Sequence, residues 1–479
     1  MTVRGYPHGM VLNPLSQQQI EQIHESTLEV LRKTGVLFEH EEALRILGEA
    51  GCEVDFDTRV AKFPAGLVEG CLRSAPSSFT LRAIEREYDL HLGGTRVAFS
   101  SGTAVDVLDT LSGERRPATL KDAVDVIRIL DKLDQIHHIF VPFGILSDKP
   151  KEVAFEWQTA LTFRHAKKSV GHGVAFPGCA KWQIEMADVV GAQLIAGAGA
   201  VPPLSYSHSM ADAIIQFSRK KHCVSVSQAI ACGATGPVTL AGTLIQGNAE
   251  ILAGITLSQV VSPGNPNMYC SYTAPLDMRS GGMAVGSVES AILGAAVGQL
   301  ARYYRIPSRT LFPQVNAMVP DQQSGIERAI QLVMTVLGGI SIICFAGQLD
   351  DEKTMCYEQI LIDDELCRMV ARILEGIGFT PEAMAVDLIH EVGPLPGNFL
   401  IKRHTRDHWK KEHMLPTLFN RSPFEQWRME GSKDIVTMAR EKVRAMLEEP
   451  VPECRLPKEM NQEITRILEA VEREKGVID

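Results

Sequence analysis

From about residue 136 onward, short apolar or small-residue runs alternate with helical segments, and this alternation restricts the chain to an α/β architecture. Seven units of this kind, with an eighth strand expected after residue 376, predict a TIM (β/α)8 barrel. A doubly wound open sheet is the alternative, but no GxGxxG motif follows a strand, so a dinucleotide-binding fold gains no support. The strand candidates are residues 138–146, 168–176, 203–210, 223–230, 267–276, 308–317 and 341–349.

Segments of different character flank the predicted barrel. Residues 1–135 combine helical patterns with a small β-region, and we expect them to pack on a barrel core of residues 136–395. Within them, Thr119 is the expected N-cap of an amphipathic helix. Residues 396–479 are predicted to form a C-terminal helical extension, with helices from about Ser432 to Glu449 and from about Glu459 to Lys475.

Composition excludes several classes of protein. The net charge of −10 argues against non-specific nucleic-acid binding, which requires clustered cations. The ten cysteines show no CxxC pair and no zinc-ligand spacing, so we interpret them as buried small hydrophobic residues in a reducing compartment. The long uncharged stretches 223–249 and 251–276 contain Gln, Asn, Gly and Pro, which membrane-spanning helices rarely tolerate. With no signal-peptide pattern at the N-terminus, we expect a soluble cytoplasmic protein without a bound metal.

In TIM barrels the catalytic groups lie at the carboxyl ends of the strands and in the loops that follow. Applied to the predicted strands, this rule places a set of aromatic and polar residues at the barrel mouth. They are Phe143, His172, Phe176, Tyr206, His208, Gln228, Tyr272, Gln314, Asn316, Phe345 and Gln348. Each also has a structural interpretation, since buried histidines and tyrosines are often hydrogen-bonded core residues. The run LDDEK at 349–353 is interpreted as a solvated loop.

This predicted mouth is rich in aromatic rings and amides and has no evident general base. Such a lining suits a quaternary ammonium, which has no N–H to donate and no lone pair to protonate. Aromatic faces attract such a cation by about 0.5–2 kcal/mol per contact. The residues alone nevertheless leave the reaction open.

Several stretches resemble the trimethylamine methyltransferase family across nearly the whole chain. They are TGVLFEHEEALRILGEAGCEVD (34–55), FSSGTAVDVLDTLSGERRPATLKD (99–122), VPDQQSGIERA (319–329), LIDDELCRMVARILEG (361–376) and PGNFLIKRHTRDHWKKEHMLP (396–416). The resemblance implies a TIM barrel that passes a methyl group to the cobalt of a separate corrinoid protein. The corrinoid (cobalamin) would therefore belong to the partner, with no cofactor bound directly by this chain.

The sequence departs from that family at one functional position. Members that act on trimethylamine carry pyrrolysine shortly before the PDxQxG segment, at or near Gln314 of this chain. An ordinary residue there resembles the non-pyrrolysine branch, whose members demethylate quaternary amines such as glycine betaine. A quaternary amine already has a neutral leaving group, so its methyl transfer needs positioning more than acid catalysis.

These expectations combine into one hypothesis for the site. The ammonium would lie among Phe143, Phe176, Tyr206, Tyr272 and Phe345, and His172, His208, Gln314, Asn316 and Gln348 would fix the rest of the substrate. Arg309 and Arg279 are the candidates for binding a carboxylate tail. Asp321, Gln323 and Gly325 are expected to shape the loop entering the next helix. A homo-oligomer is expected.

Other functions remain open at this point. They are methyl transfer from another small substrate or to another acceptor, a zinc-dependent methyltransferase, and a non-catalytic betaine-binding or scaffold subunit.

Overall fold

The computed structural model describes residues 6–7, 11–94, 96–174, 176–450 and 454–478. Ala175, near the end of the predicted strand 168–176, lies outside this range. So do residues 1–5 and 8–10, on which the signal-peptide prediction mostly rests.

Three helices and a small sheet form the N-terminal layer. The helices are α1 (Gln17–Lys33), α2 (Glu41–Glu49) and α3 (Ala65–Ser74). A capping box starts α1: the Ser16 hydroxyl accepts the Gln19 N–H, and the Gln19 side chain accepts the Ser16 N–H. The sheet contains strands Val36–Phe38, Glu53–Asp55 and Val60–Lys62, and Ser205–Tyr206 joins it by pairing with Val36–Phe38.

Eight parallel strands close into a barrel, because the first pairs with the last through Ala98 and Ile342. The short strand Tyr6–Pro7 adds to the first of them in antiparallel orientation. The barrel strands are β1 (Arg96–Ser101), β2 (Ile136–Phe140), β3 (Ser169–Gly173), β4 (Leu194–Gly199), β5 (Cys223–Ser227), β6 (Asn267–Ser271), β7 (Ser308–Thr310) and β8 (Ile342–Ala346). The TIM-barrel prediction is confirmed.

Each barrel strand is followed by a helix of the outer ring. These helices are α4 (Leu120–Lys132), α5 (Ala154–His165), α6 (Cys179–Val190), α7 (His208–Arg219), α8 (Leu240–Val261), α9 (Val288–Tyr304), α10 (Gln322–Leu337) and α11 (Tyr357–Glu375). Thr119 caps α4 as predicted, since its side chain accepts the Asp122 N–H. Asp321 caps α10 by accepting the Ser324 N–H at 3.0 Å, so it holds the start of the helix as expected.

The two ends of the barrel differ in how they are closed. At the amino ends of the strands, the hairpin Ser78–Leu81 and Leu90–Gly93 contributes Leu81, Leu90 and Leu92 to a cluster with interior residues such as Met268 and Ile342. This apolar plug fills the lower part of the barrel. At the carboxyl ends the mouth is covered by loops, among them two short hairpins: Gln348–Leu349 with Thr354–Met355, and Asp106–Leu108 with Arg115–Pro117.

The C-terminal residues are helical and two of their helices pack on the barrel. They contain α12 (Pro381–Met384), α13 (Val386–Val392), α14 (Arg403–Glu412), α15 (Phe424–Met429), α16 (Ile435–Glu448) and α17 (Lys458–Glu474). α16 lies against α4 and α11, and α17 lies against α5 and α6. The two final predicted helices are thereby confirmed.

Two of the strand assignments were wrong. Residues 203–210 form no barrel strand, because Ser207 caps α7 and only Ser205–Tyr206 is extended. The barrel strand in this part of the chain is β4, LIAGAG, whose small residues carry little strand propensity.

The barrel also takes its remaining strand from an earlier part of the chain than expected. No barrel strand follows residue 376 in the described part of the chain, and β1 at Arg96–Ser101 completes the sheet. The strands and helices of the barrel therefore run from Arg96 to Glu375, starting within the segment that the sequence assigned to the N-terminal region. The cysteines follow the prediction of burial, with nine buried and Cys454 half-buried.

A buried ion pair links two helices behind the last strand. Arg328 of α10 and Asp363 of α11 are almost fully buried, and Nη1 of Arg328 lies 3.2 Å from the Asp363 carboxylate. The carboxylate also accepts the Gly347 N–H at 2.8 Å and an N–H of Gln359 at 2.8 Å. The charge of Arg328 thus has a dedicated partner in the fold.

We predict that Asp363→Asn lowers the free energy of unfolding by about 3–5 kcal/mol, because it leaves the Arg328 charge buried without its partner. Urea denaturation followed by circular dichroism measures this change. Asp407→Asn, which breaks an exposed ion pair with Arg403, is the control and should cost at most about 1 kcal/mol. Equal effects of the two substitutions would contradict the prediction.

Candidate active site

A left-handed turn after β8 places a carboxylate at the barrel mouth. Asp350, Asp351 and Glu352 have φ angles of 49°, 52° and 63°, a conformation that L-residues adopt mainly one at a time. Backbone strain of this kind persists only where the surrounding structure holds it, and it concentrates at functional sites.

The turn is held by the loop that follows β7. The Asp350 N–H donates to the Ala317 carbonyl and the Asp351 N–H donates to the Val315 carbonyl, each at 3.0 Å. The Asp350 carboxylate also binds Nη1 of Arg115 at 2.6 Å. These bonds connect the end of β8 to the end of β7, so the turn is fixed to the rim of the barrel.

Glu352, the last residue of this turn, is a carboxylate with unusual properties. The residue as a whole is half-buried, yet burial of its carboxyl group raises its pKa to about 7. A hydrogen bond from Nε2 of Gln348 at 3.1 Å and the positive charge of Arg309 act in the opposite direction. Near neutral pH this group therefore responds strongly to any charge that binds beside it.

Tyr272, just beyond β6, lies in the same group. Its hydroxyl donates to the Asp351 carboxylate at 2.7 Å, and burial raises the pKa of the phenol well above its usual range. The ring therefore stays neutral, and it packs against Phe312 with the centroids 6.0 Å apart.

Two amide side chains complete this side of the mouth. Gln348 also donates to the Thr103 carbonyl at 2.7 Å, and it lies directly over Gly102, where any larger side chain would overlap it. Gln314 is completely buried and lies close to Glu352 and Tyr272. Neither Oε1 nor Nε2 of Gln314 has a hydrogen-bond partner among the described residues, so its amide is available to a ligand.

Arg309 lies inside the barrel, on β7. The guanidinium carbon is 4.1 Å from the centroid of the Phe140 ring, across the barrel on β2, and Nε is 3.2 Å from Sγ of Cys344. Phe140 packs with Phe155 and Phe176, which form an aromatic wall on the β2–β3 side of the mouth.

A cleft of about 510 Å³ borders the turn on the outside. Its charged lining residues are four carboxylates, Asp277, Glu327, Asp350 and Asp351, and one amine, Lys353. A larger cavity of about 600 Å³ lies at the opposite end of the barrel, beside the plug and Arg96. Because catalytic groups of TIM barrels gather at the carboxyl ends of the strands, we place the candidate site at the mouth.

The structure brings together Tyr272, Arg309, Gln314 and Gln348 from the predicted site, with Phe176 on the facing wall. Gln228 lies near them, but its amide is taken up by hydrogen bonds with Ser271 and Thr273.

The other predicted residues lie elsewhere. His172 faces the outer layer, where Nδ1 is 3.4 Å from the Thr159 hydroxyl of α5, and burial lowers its pKa to about 3. Phe345 also faces outward, beneath the Arg328 guanidinium. Phe143 is buried in the main core, and its backbone is bound on both sides by Gln158.

Tyr206 and His208 belong to the interface with the N-terminal layer. Tyr206 stacks on Phe38 at 5.0 Å, and its hydroxyl donates to the Glu250 carbonyl at 2.8 Å. His208 contacts the ring of His40 at the start of α7. The predicted five-ring cage is therefore not assembled around one point.

Two further predicted residues serve the loops of the rim. The Asn316 side chain accepts the Gly286 N–H at 2.9 Å and donates to the Met283 carbonyl at 2.8 Å. Arg279 is exposed and pairs with Asp277. These contacts stabilise the rim. The hydrogen bonds and the ion pair of both side chains go to rim loops and not to the interior of the barrel.

Sequence reasoning missed Glu352, because LDDEK was interpreted as a solvated loop. The available signal was its position, immediately after the carboxyl end of the last strand, where the rule for TIM-barrel sites applies to carboxylates as well as to amides.

Within the described residues, no helix is long and apolar enough to cross a membrane. In the same part of the chain, no group of three or more His, Cys, Asp or Glu side chains is arranged to hold a metal ion.

Comparison with known proteins identifies the family. The sequence of residues 6–476 matches the family described as trimethylamine methyltransferase (MTTB). The chain is 35% identical to trimethylamine methyltransferase MttB of Desulfitobacterium hafniense strain DCB-2, over 98% of this chain and 96% of that protein. It is 32% identical to the glycine betaine methyltransferase of D. hafniense strain Y51, over 87% and 89% of the two chains. The chain belongs to the trimethylamine methyltransferase family, which confirms the resemblance found in the sequence.

A solved structure supports the fold. The Methanosarcina barkeri monomethylamine methyltransferase MtmB matches with a TM-score of 0.53 at 12% identity, covering 90% of this chain and 88% of that one.

We predict that Glu352 makes stability depend on pH. A carboxyl pKa of about 7 in the folded protein, above the ordinary value of 4.5, stabilises the fold at low pH. That contribution is lost as the pH rises through 7. Glu352→Gln should therefore gain stability relative to the wild type between pH 5 and pH 8, by up to about 3 kcal/mol. Urea denaturation across this range measures the difference, and a difference independent of pH would contradict the prediction.

Proposed function

We propose that this protein transfers a methyl group from a quaternary amine, glycine betaine or a similar betaine, to the Co(I) of a corrinoid carried by a separate protein. Family membership supports methyl transfer, since relatives of this chain are named for trimethylamine and for glycine betaine. The observation that carries the proposal is the Glu352 carboxylate, held in a strained turn over a barrel mouth that contains Tyr272 and two amides.

A carboxylate in this position favours a cationic substrate. Its charge is attracted to an ammonium group through a partly desolvated environment, where electrostatic interactions are stronger than in bulk water. The acidic lining of the neighbouring cleft adds a longer-range attraction for a cation approaching the mouth. The aromatic faces of Tyr272 and of the Phe140–Phe155–Phe176 wall supply the contacts that a methylated ammonium prefers.

The residue at position 314 favours a quaternary amine over trimethylamine. Gln314 is an ordinary amide at or near the position where trimethylamine-specific members carry pyrrolysine, so this chain lacks that special group. A quaternary nitrogen needs no further activation, because it leaves as a neutral tertiary amine.

The reaction balances without a proton. The corrinoid supplies a strong nucleophile, Co(I), and the methyl carbon bonds to cobalt as the C–N bond breaks with its electron pair remaining on nitrogen. For this step the chain must orient one methyl group toward the mouth and exclude water from the ammonium. We assign this task to Glu352, Tyr272 and Gln314, and the strained turn would fix the Glu352 carboxylate before the substrate binds.

The reaction is tested by mixing the purified protein anaerobically with cob(I)alamin and one amine at a time, and recording the visible spectrum. We expect methylcobalamin to form with at least one betaine and not with trimethylamine. A cognate corrinoid protein should replace free cobalamin as the better acceptor. Absence of methylcobalamin with every amine and both acceptors would contradict the proposal and favour a non-catalytic amine-binding or scaffold subunit.

A second prediction concerns the carboxylate. Because only the ionised form of Glu352 attracts the cation, kcat/KM of the wild type should rise as the pH increases through about 7. Glu352→Gln should raise KM roughly tenfold and remove this pH dependence. Glu425→Gln, which changes an exposed carboxylate on α15, is the matched control and should retain both. An unchanged pH profile in Glu352→Gln would exclude this role.

A further inference from the structure

We propose that Arg309 forms a subsite for a carboxylate at the floor of the mouth, so that the preferred substrate is a zwitterion with ammonium and carboxylate at opposite ends. This inference rests on the proposed function and assigns the second charge that the site recognises. It makes Arg309 a specificity-determining residue of that reaction.

The first argument is the cost of a buried charge without a counter-ion. Arg309 is only 2% exposed, and a guanidinium cannot give up its proton at physiological pH. Among the described residues, its Nη2 has no hydrogen-bond partner, and Glu352, the carboxylate whose charge acts on it, forms no ion pair with it. Desolvating such a charge costs several kcal/mol unless an anion compensates for it.

Arg328 shows how the same fold treats a structural arginine. It is equally buried, and its guanidinium also lies over a phenylalanine ring, Phe345. Its charge, however, is paired with the Asp363 carboxylate at 3.2 Å. Arg309 has the aromatic contact with Phe140 but lacks the carboxylate. We infer that the missing anion is brought by the ligand.

Two of the neighbouring thiols, those of Cys270 and Cys223, do not supply this anion. Burial raises the pKa of Cys270 to about 11 and that of Cys223 further above its usual range. Both side chains are therefore neutral near pH 7. The contact between Nε of Arg309 and Sγ of Cys344 accounts for one donor and leaves Nη2 available.

Glycines on the strands beside Arg309 let polar side chains pack closely against the barrel wall. Gly197 on β4 faces the guanidinium, with Nη1 of Arg309 3.7 Å from the position that a Cβ would occupy. Gly171 on β3 faces the His138 ring, whose Nε2 is buried without a hydrogen-bond partner in the described structure. Burial and the charge of Arg309 keep the pKa of His138 well below its usual range, so this ring is neutral. In the tautomer with the proton on Nε2, it can donate a hydrogen bond to a carboxylate.

The two charges of the site have the arrangement that a zwitterion requires. Glu352 lies at the rim and Arg309 lies in the interior, and they are near enough to influence each other without forming an ion pair. A betaine bound between them would place its ammonium beside Glu352 and its carboxylate beside Arg309. Its methyl groups would then face the mouth, where the acceptor must approach.

Isothermal titration calorimetry in the absence of corrinoid tests this subsite. Glycine betaine, butyrobetaine and carnitine carry a carboxylate, whereas choline carries the same trimethylammonium head with a hydroxyl group. We expect at least one carboxylated amine to bind the wild type about 30-fold or more tighter than choline. Arg309→Met should reduce this preference to less than about threefold, because it weakens the binding of the carboxylated ligand and leaves the binding of choline unchanged.

Two variants control the experiment. Arg309→Lys keeps the charge but not the planar pair of donors, so it should retain part of the preference. Glu352→Gln should weaken the binding of choline and of the betaines equally, since the Glu352 carboxylate interacts with the ammonium group that they share. An unchanged preference in folded Arg309→Met would overturn the proposal. Equal wild-type affinity for choline and every carboxylated amine would also overturn it, whether or not the methionine variant folds.

This measurement separates the two proposals. A preference for carboxylated amines without any methylcobalamin formation would contradict the proposed reaction and leave the subsite standing. Methyl transfer that is equally efficient from choline and from the betaines would contradict the subsite and leave the proposed reaction standing.

Discussion

Closure of the sheet between β1 and β8 is the constraint on which the rest of the structure depends. Pairing of Ala98 with Ile342 turns an open sheet into a cylinder, and a cylinder of eight strands has room for side chains only if they are graded in size. The lower layers are filled by the apolar plug of the hairpin and residues such as Met268. The upper layers contain Gly171 and Gly197, whose small size makes space for the larger side chains of His138, Phe140 and Arg309. The same closure brings the ends of β6, β7 and β8 together, and these ends carry Tyr272, Arg309 and the strained turn.

The fold was predictable wherever strands carry β-branched and aromatic residues. Residues 223–230 and 341–349 were identified in this way, and each contains the observed strand. β4 has the opposite composition, because its upper interior positions are the glycines Gly197, which faces Arg309, and Gly199. The glycines that make space for Arg309 therefore also removed the sequence pattern that would have predicted a strand. Residues 203–210 gave a false strand signal, since Ser207 in this segment is the N-cap of α7.

The site was predictable in position along each strand but not in the direction of its side chains. Barrel strands are covered on both faces, so their sequences lack the alternation that tells an inward residue from an outward one. His172 and Phe345 were assigned to the site because they lie near strand ends, yet each is one residue away from an inward position. Tyr272, Gln314 and Gln348 follow their strands in loops at the mouth, where this ambiguity matters less. Glu352 could not be recognised from its residue type, because its role depends on three consecutive left-handed residues that only tertiary contacts stabilise.

The strain in that turn and the unpaired charge of Arg309 have a common physical meaning. Both raise the free energy of the empty protein, and under the proposed function a zwitterionic ligand would compensate for the unpaired charge. A methyl transfer that involves no proton gains little from acid or base groups, so its rate depends on how well the chain fixes the direction of one C–N bond. Two charges fixed at opposite ends of a small zwitterion determine that direction more completely than a single cation site, because the ligand cannot reverse between them. The ordinary residue at or near the expected pyrrolysine position, Gln314, agrees with this proposal: a substrate held at both ends by this chain's ordinary side chains would not require an additional group to position it.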